Sequence, residues 1–113
     1  MDDCIFCRIV KKEIPADICY EDEEILAFKD INPMAPVHIL VIPKTHIASL
    51  NDIQPEHTFL LGKICTVLQQ IAVQTGIAES GYRMFYNVGA DGGQVVLHLH
   101  AHLIGGRKLK LEV

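Results

Sequence analysis

No stretch of this chain is long and apolar enough to cross a bilayer. Its hydrophobic runs are broken by charge, proline or histidine well short of the roughly 20 residues a spanning helix requires. The acidic start Met1-Asp2-Asp3 leads into no apolar stretch with a small-residue cleavage site, so no secretory signal is expected. A basic stripe is missing too. Fourteen acids against ten bases leave a net charge of −4, and the two basic clusters, Lys11-Lys12 and Arg107-Lys108-Leu109-Lys110, read as solvated surface rather than as a nucleic-acid face. If phosphate is bound, a local pocket binds it. Repeats, low-complexity tracts and flexible linkers are absent, and 113 residues make one ordinary domain, residues 1–113. Four cysteines with no export signal point to a reducing, cytoplasmic setting, where thiols act as core, redox or metal-binding groups rather than as disulfides.

What is present is a chain half hydrophobic, enough for a real core, though a domain this small is marginally stable and gains from a partner subunit. Residues 4–10 carry Ile5, Phe6, Ile9 and Val10 at helical spacing, ending before Pro15. Residues 18–20 and 25–28 read as short strands joined by an acidic turn. Asn32-Pro33 and Ala35-Pro36 mark a rigid turn before a β-branched run, residues 37–42, which Pro43 should stop. Pro55 opens a helix to about Thr75, with Gly76 past its end. This helix is apolar over most of its girth: Leu60, Ile64, Val67, Leu68 and Ile71 form one face, while Phe59, Leu61, Cys65, Ala72 and Val73 spread around the sides. Such a helix needs cover on more than one side, which favours a dimer interface over a deep core position. Residues 82–88 and 97–104 are the last two strands, around the glycine-rich connection 89–94. With no strand–helix alternation, the expected fold is α+β, a roughly five-stranded antiparallel sheet with two main helices.

The chemistry centres on His98-Leu99-His100-Ala101-His102. In a strand, alternate side chains share a face, so the three rings should project together, about 6.6 Å between neighbours, close enough to bracket one phosphate. A row of imidazoles offers nucleophile, proton carrier and hydrogen-bond donor at once. Purely structural histidines would each need a buried partner, which weighs against that reading, and a pure metal site is the other competitor. Cys4-Ile5-Phe6-Cys7 is a second feature. Taken alone, this pair is ambiguous among a zinc site, a redox dithiol and two buried thiols, although the strand context of a thioredoxin-like motif is missing. Cys19 and Cys65 read as packing residues and His57 as an exposed helix-start residue.

The string Gly92-Gly93-Gln94-Val95-Val96-Leu97-His98-Leu99-His100-Ala101-His102-Leu103-Ile104-Gly105-Gly106-Arg107 resembles the histidine-triad (HIT) family, and within it the Hint branch of purine nucleoside phosphoramidases. The similarity extends through Ile14-Pro15, Phe28-Lys29-Asp30-Ile31, Ala35-Pro36-Val37-His38, Val41-Ile42-Pro43-Lys44 and Tyr82-Arg83, and so covers almost the whole chain. It implies a HIT-like fold and a homodimer whose sheets join. It implies hydrolysis of a purine nucleoside 5′-phosphoramidate, with His100 as nucleophile, a nucleotidyl-histidine intermediate resolved by water, and no cofactor in the chemistry. His102 would bond phosphate oxygens, and His38 would sit behind the nucleophile and fix its tautomer. The amides of Gly93, Gln94 and Val95 would cradle the α-phosphate as a nest, with Gln94 also near the leaving group. No Gly-Lys-Ser/Thr follows, so this is not a P-loop. Asp30 would accept from the ribose hydroxyls, Asn87 would bond a phosphate or hold the loop, and Ile5, Phe6, Ile9, Phe28 and Ile31 would form the purine slot. Without the resemblance, those five are simply core and Asp30 a turn aspartate.

The same resemblance implies a structural Zn²⁺ held by Cys4, Cys7, His46 and His98, a closed tetrahedral set. In one departure, many Hint-branch members carry serine where this chain has Val95, which keeps the backbone donor but not a hydroxyl and bears on turnover and leaving-group preference. The chain also ends soon after Gly105-Gly106-Arg107, which argues against substrate selection by a long tail. Three other functions compete: a nucleotide-binding partner protein with vestigial catalysis, a dinucleoside polyphosphate hydrolase of the Fhit type, and a metallohydrolase.

Overall fold

Strand β3, Val37–Pro43, is the spine of the fold. Its β-branched run suits a strand buried on both faces, and alternate residues feed two separate cores, Ile39 and Val41 one of them, Leu40 and Ile42 the other. In this computed structural model, which describes residues 3–111, β3 pairs antiparallel with β2 (Ile25–Lys29) on one side and β5 (Ala101–Gly105) on the other. Strands β1 (Ile18–Glu21) and β4 (Tyr82–Tyr86) complete a five-stranded sheet in the order β1-β2-β3-β5-β4. The expectations drawn from Met1 and Asp2 and from the chain's end at Val113 lie outside the described residues.

One face of the sheet is covered by helix α2, Thr58–Gln74, through Ile64, Val67, Leu68, Ile71 and Ala72. Each large aliphatic side chain so removed from water contributes about 1.5–3 kcal/mol. The helix stops where Gly76 takes a φ of +78°. The Ile77 amide then bonds the Ala72 carbonyl and the Gly76 amide that of Val73, both at 3.1 Å, closing the last turn. The other face is covered by the six-residue helix α1, Ile5–Val10, through Phe6 and Ile9. Because His38 is in phase with Leu40 along β3, and His102 pairs with Leu40, both histidines stand on the α1 face.

The antiparallel five-stranded sheet and its two helices match the expectation, with one adjustment: α2 alone is a long helix. Four local expectations differ. Residues 97–100 are not strand, because β5 begins only at Ala101. Pro43, placed inside β3, offers no N–H to extend the ladder; its carbonyl instead accepts from His98 Nε2 at 2.8 Å, and the Leu99 amide reaches Ile47 O at 2.6 Å. His98 and His100 therefore sit on the incoming segment, and the three rings do not share one strand face. Cys19 and Cys65 are exposed rather than packed, Cys19 on an edge strand and Cys65 on α2. His57 is half-buried, ending a 3-10 turn, Pro55–His57, where its Nδ1 accepts from the Gln54 amide at 3.0 Å. On α2, Phe59 (80% exposed) and Val73 (64%) face outward, the uncovered sides that the sequence led one to expect.

Candidate active site

A cavity of about 480 Å³ opens on the α1 face of the sheet. Ile5, Phe6 and Ile9 from α1, together with Phe28 and Ile31, supply apolar lining, and Asp30, His38, His100, His102, Asn87, Gly93 and Val95 line it as well. Mostly apolar, with a few converging polar groups, it has the form of a small-molecule site. The structure thus brings to one cavity the five expected slot residues, Asp30 and three of the histidines. His98 points elsewhere.

Backbone anchors settle the ring tautomers. The Met34 amide donates to His38 Nδ1 at 3.0 Å, so the His38 proton is on Nε2. That N–H faces His102 Nδ1 at 3.0 Å and the Asp30 carboxylate at 3.4 Å. His102 is then the acceptor at Nδ1 and carries its own proton on Nε2, a buried N–H with no protein acceptor among the described residues. An orphan donor of this kind calls for an external acceptor. His100 follows the opposite pattern: its Nδ1–H donates to the His98 carbonyl at 2.6 Å, leaving the Nε2 lone pair free. His38 therefore orients His102, and the tautomer of His100 is held by the His98 main chain, not by His38 as the resemblance implied.

Burial disfavours protonation of these rings. Burial pushes His102 down to about 4, with His100 and His38 adding to the shift and Asp30 opposing it. Burial likewise lowers His100, against the His98 carbonyl and Asp30, and lowers His38, against Asp30. A neutral imidazole with an exposed lone pair is the nucleophilic form. Phe6 supports the row from α1, meeting His100 edge-on at 5.1 Å and His98 at 5.9 Å.

The glycine-rich turn is more self-contained than a three-amide cradle. The Gly93 amide bonds Ala90 O and the Gln94 amide bonds Gly89 O, both at 3.0 Å, so of the expected three only the Val95 amide is without a protein acceptor among the described residues. Gln94 is buried and absent from the cavity lining; its side chain accepts from the Gly89 amide at 3.0 Å and donates to Ala48 O at 2.7 Å and Val96 O at 3.0 Å, holding the turn. A Cβ at Gly92 would collide with the Val88 carbonyl, which explains glycine there. Val95 is 90% exposed at the cavity mouth.

Cys4, Cys7, His46 and His98 form a second cluster whose ligand atoms lie within 4.8 Å of one another and could hold a metal ion. Cys4 Sγ is 3.4 Å from His98 Nδ1, and Cys7 Sγ is 3.3 Å from His46 Nδ1 and 3.5 Å from His98 Nδ1. His98 Nε2 is engaged by Pro43 O, which turns the Nδ1 lone pair to the thiols. Burial, then the neighbouring Cys4 thiol, push Cys7 up to about 11.

Sequence reasoning missed Met34, whose amide anchors His38, and Leu40, which lines the cavity. Leu40 was legible, being two residues from His38 on a strand; the Met34 contact, made within a turn, had no pattern to announce it.

A model of the HIT domain matches residues 11–109. The chain is 50% identical over 108 residues to the purine nucleoside phosphoramidase of Escherichia coli K12, covering 96% of this chain and 91% of that protein. It superimposes on a HIT family hydrolase from Clostridium thermocellum with a TM-score of 0.97 at 46% identity, covering 100% of this chain and 98% of that one. A Zn-bound histidine triad family protein from Mycobacterium smegmatis matches with a TM-score of 0.81 at 34% identity, over 94% of this chain and 76% of that one. With a family model spanning residues 11–109, this chain belongs to the HIT domain family.

Proposed function

We propose that this protein hydrolyses the P–N bond of purine nucleoside 5′-phosphoramidates. The observation that carries the reading is the opposed tautomers of His100 and His102 in one cavity, a lone pair beside an unsatisfied N–H. The base lies in the slot of Ile5, Phe6, Ile9, Phe28 and Ile31, and Asp30 accepts from the ribose hydroxyls. His102 Nε2–H and the Val95 amide bond the phosphate oxygens, and Asn87 lies alongside. His100 Nε2 attacks the α-phosphorus, the P–N bond breaks with its electron pair going to nitrogen, and the amine departs with a proton taken from solvent, which the attacking water gives back in the second step. Water then attacks the nucleotidyl-histidine, releasing the nucleoside monophosphate and restoring His100. The 50% identity to a protein named purine nucleoside phosphoramidase supports this substrate class.

Zinc is the proposed occupant of the second cluster. Around a tetrahedral Zn²⁺ with two sulfur and two nitrogen ligands, S···N edges are about 3.6 Å, and the cluster shows 3.3–3.5 Å. With four protein ligands the ion has no open position, so its part is to fix α1 against the histidine segment, and the chemistry requires no cofactor. We also propose a homodimer, supported by the outward apolar side of α2 and the unpaired edge of β4. No helix among the described residues is long and apolar enough to cross a membrane. The four unbridged cysteines support a cytoplasmic location.

The test is release of AMP from adenosine 5′-phosphoramidate by the parent and by His100→Ala. Release by the parent alone supports the hydrolase and its nucleophile. AMP binding without release by either protein favours the second reading, a nucleotide-binding partner protein, for which the missing hydroxyl at Val95 is the specific motive.

A further inference from the structure

His102 is bounded by three rings. His38 meets its Nδ1 at 3.0 Å, His100 lies 4.9 Å away tilted by 56°, and Phe85 lies flat on it, centroids 4.5 Å apart and planes within 7°. Phe85 does not line the cavity. Its contact follows from register: Phe85 and His102 are direct cross-strand partners in the β4–β5 pair, so their side chains project from the same face at adjacent positions.

We propose that Phe85 is a positioning residue for His102, its ring fixing the imidazole plane so that Nε2–H points to the phosphate subsite. The inference rests on the reading of His102 as phosphate donor given above. The bond to His38 limits rotation about χ2 only as tightly as one hydrogen bond can, and the χ2 wells are broad. Nε2 has no protein acceptor to fix its direction. A flat neighbour does fix it, because a turned ring drives its edge into the phenyl face and loses the stacked contact. Donor direction matters in catalysis, since hydrogen bonds weaken steeply as they bend and a donor already aimed needs no reorganisation.

The experiment compares Phe85→Leu, which keeps apolar bulk, with Phe85→Tyr, which keeps the ring. For AMP release, Phe85→Leu is expected to lower kcat about tenfold, roughly the free energy of one aromatic pair, with KM little changed. Phe85→Tyr recovers most of the turnover. By NMR on the nucleotide-free protein, the His102 ring protons, assigned by their loss in His102→Gln, lie upfield in the parent and in Phe85→Tyr and move downfield in Phe85→Leu. Parent-like kcat in Phe85→Leu overturns the proposal, and so does a Tyr variant as slow as the Leu variant. If the Leu variant does not fold, unshifted His102 protons in the parent overturn it and upfield protons sustain it. A parent that releases no AMP defeats the hydrolase reading instead. Phe85 is then judged on whether AMP perturbs the His102 ring protons in the parent and fails to do so in Phe85→Leu.

Discussion

His98 faces two ways: its main-chain oxygen accepts from His100 Nδ1 at 2.6 Å, while its ring Nδ1 lies 3.4 Å from Cys4 Sγ and 3.5 Å from Cys7 Sγ. One residue therefore joins the anchor of the His100 ring to the thiol cluster. The joint is physical, because the ring is fully buried and its other nitrogen is held by Pro43 O.

Removing metal should loosen that joint. With zinc at about a thousandfold its dissociation constant, binding adds about 4 kcal/mol to stability, so stripping the ion from protein of this size should lower Tm by 10 °C or more. Thermal denaturation with and without a chelator checks this, with Cys7→Ser as a parent that no longer responds. A chelator-insensitive Tm counts against a bound structural ion.

His38 bonds the His102 ring, not that of His100. His38→Ala should reduce AMP release by about 10–100-fold, the usual loss when an orienting partner is removed, with AMP affinity changed only a few-fold. Steady-state turnover alongside calorimetric AMP binding separates the two effects. Loss of both in proportion would place His38 in direct contact with the nucleotide.

Stability should fall with acid in a defined window. An unfolded histidine takes up a proton near pH 6.5, whereas folded His102 resists until about 4, and burial holds His38 low as well. Between those values the unfolded chain binds more protons, so the neutral-ring contribution is complete above about pH 6.5 and declines as pH drops toward 4. Tm of the metal-free protein, followed from about pH 7 to about pH 4.5, should slope downward, and His102→Gln should flatten the slope. An unchanged slope rules out His102 as its source.

Gln94 ties the glycine-rich turn to Ala48 and Val96. Replacing it with alanine leaves those carbonyls and the Gly89 amide without their partner, at a cost of about 1–3 kcal/mol. Gln94→Ala should therefore lower both Tm and AMP release, whereas Val95→Ala, at a position 90% exposed, should leave Tm unchanged. Equal Tm for the two variants would remove Gln94 from this role.

Much of this protein was readable in one dimension. Alternating apolar residues, proline and glycine punctuation and the girdled helix determined the antiparallel sheet, its helices and the uncovered side of α2, because burial imposes a period on sequence. The residue types of the histidine row and the Cys4–Cys7 pair could be singled out because imidazoles and thiols are costly to bury without a task, whereas Asp30 stood out only through the family resemblance. Only the tertiary structure decided which way each ring turned. Period two placed His98 with His100 and His102. The incoming segment stays outside the ladder at Pro43, so His98 rotates to the thiols and leaves its carbonyl to His100. The Met34 anchor, the Gln94 tie and the Phe85 stack each join segments whose meeting depends on strand register or turn closure, and spacing along a chain carries no record of contacts made across it.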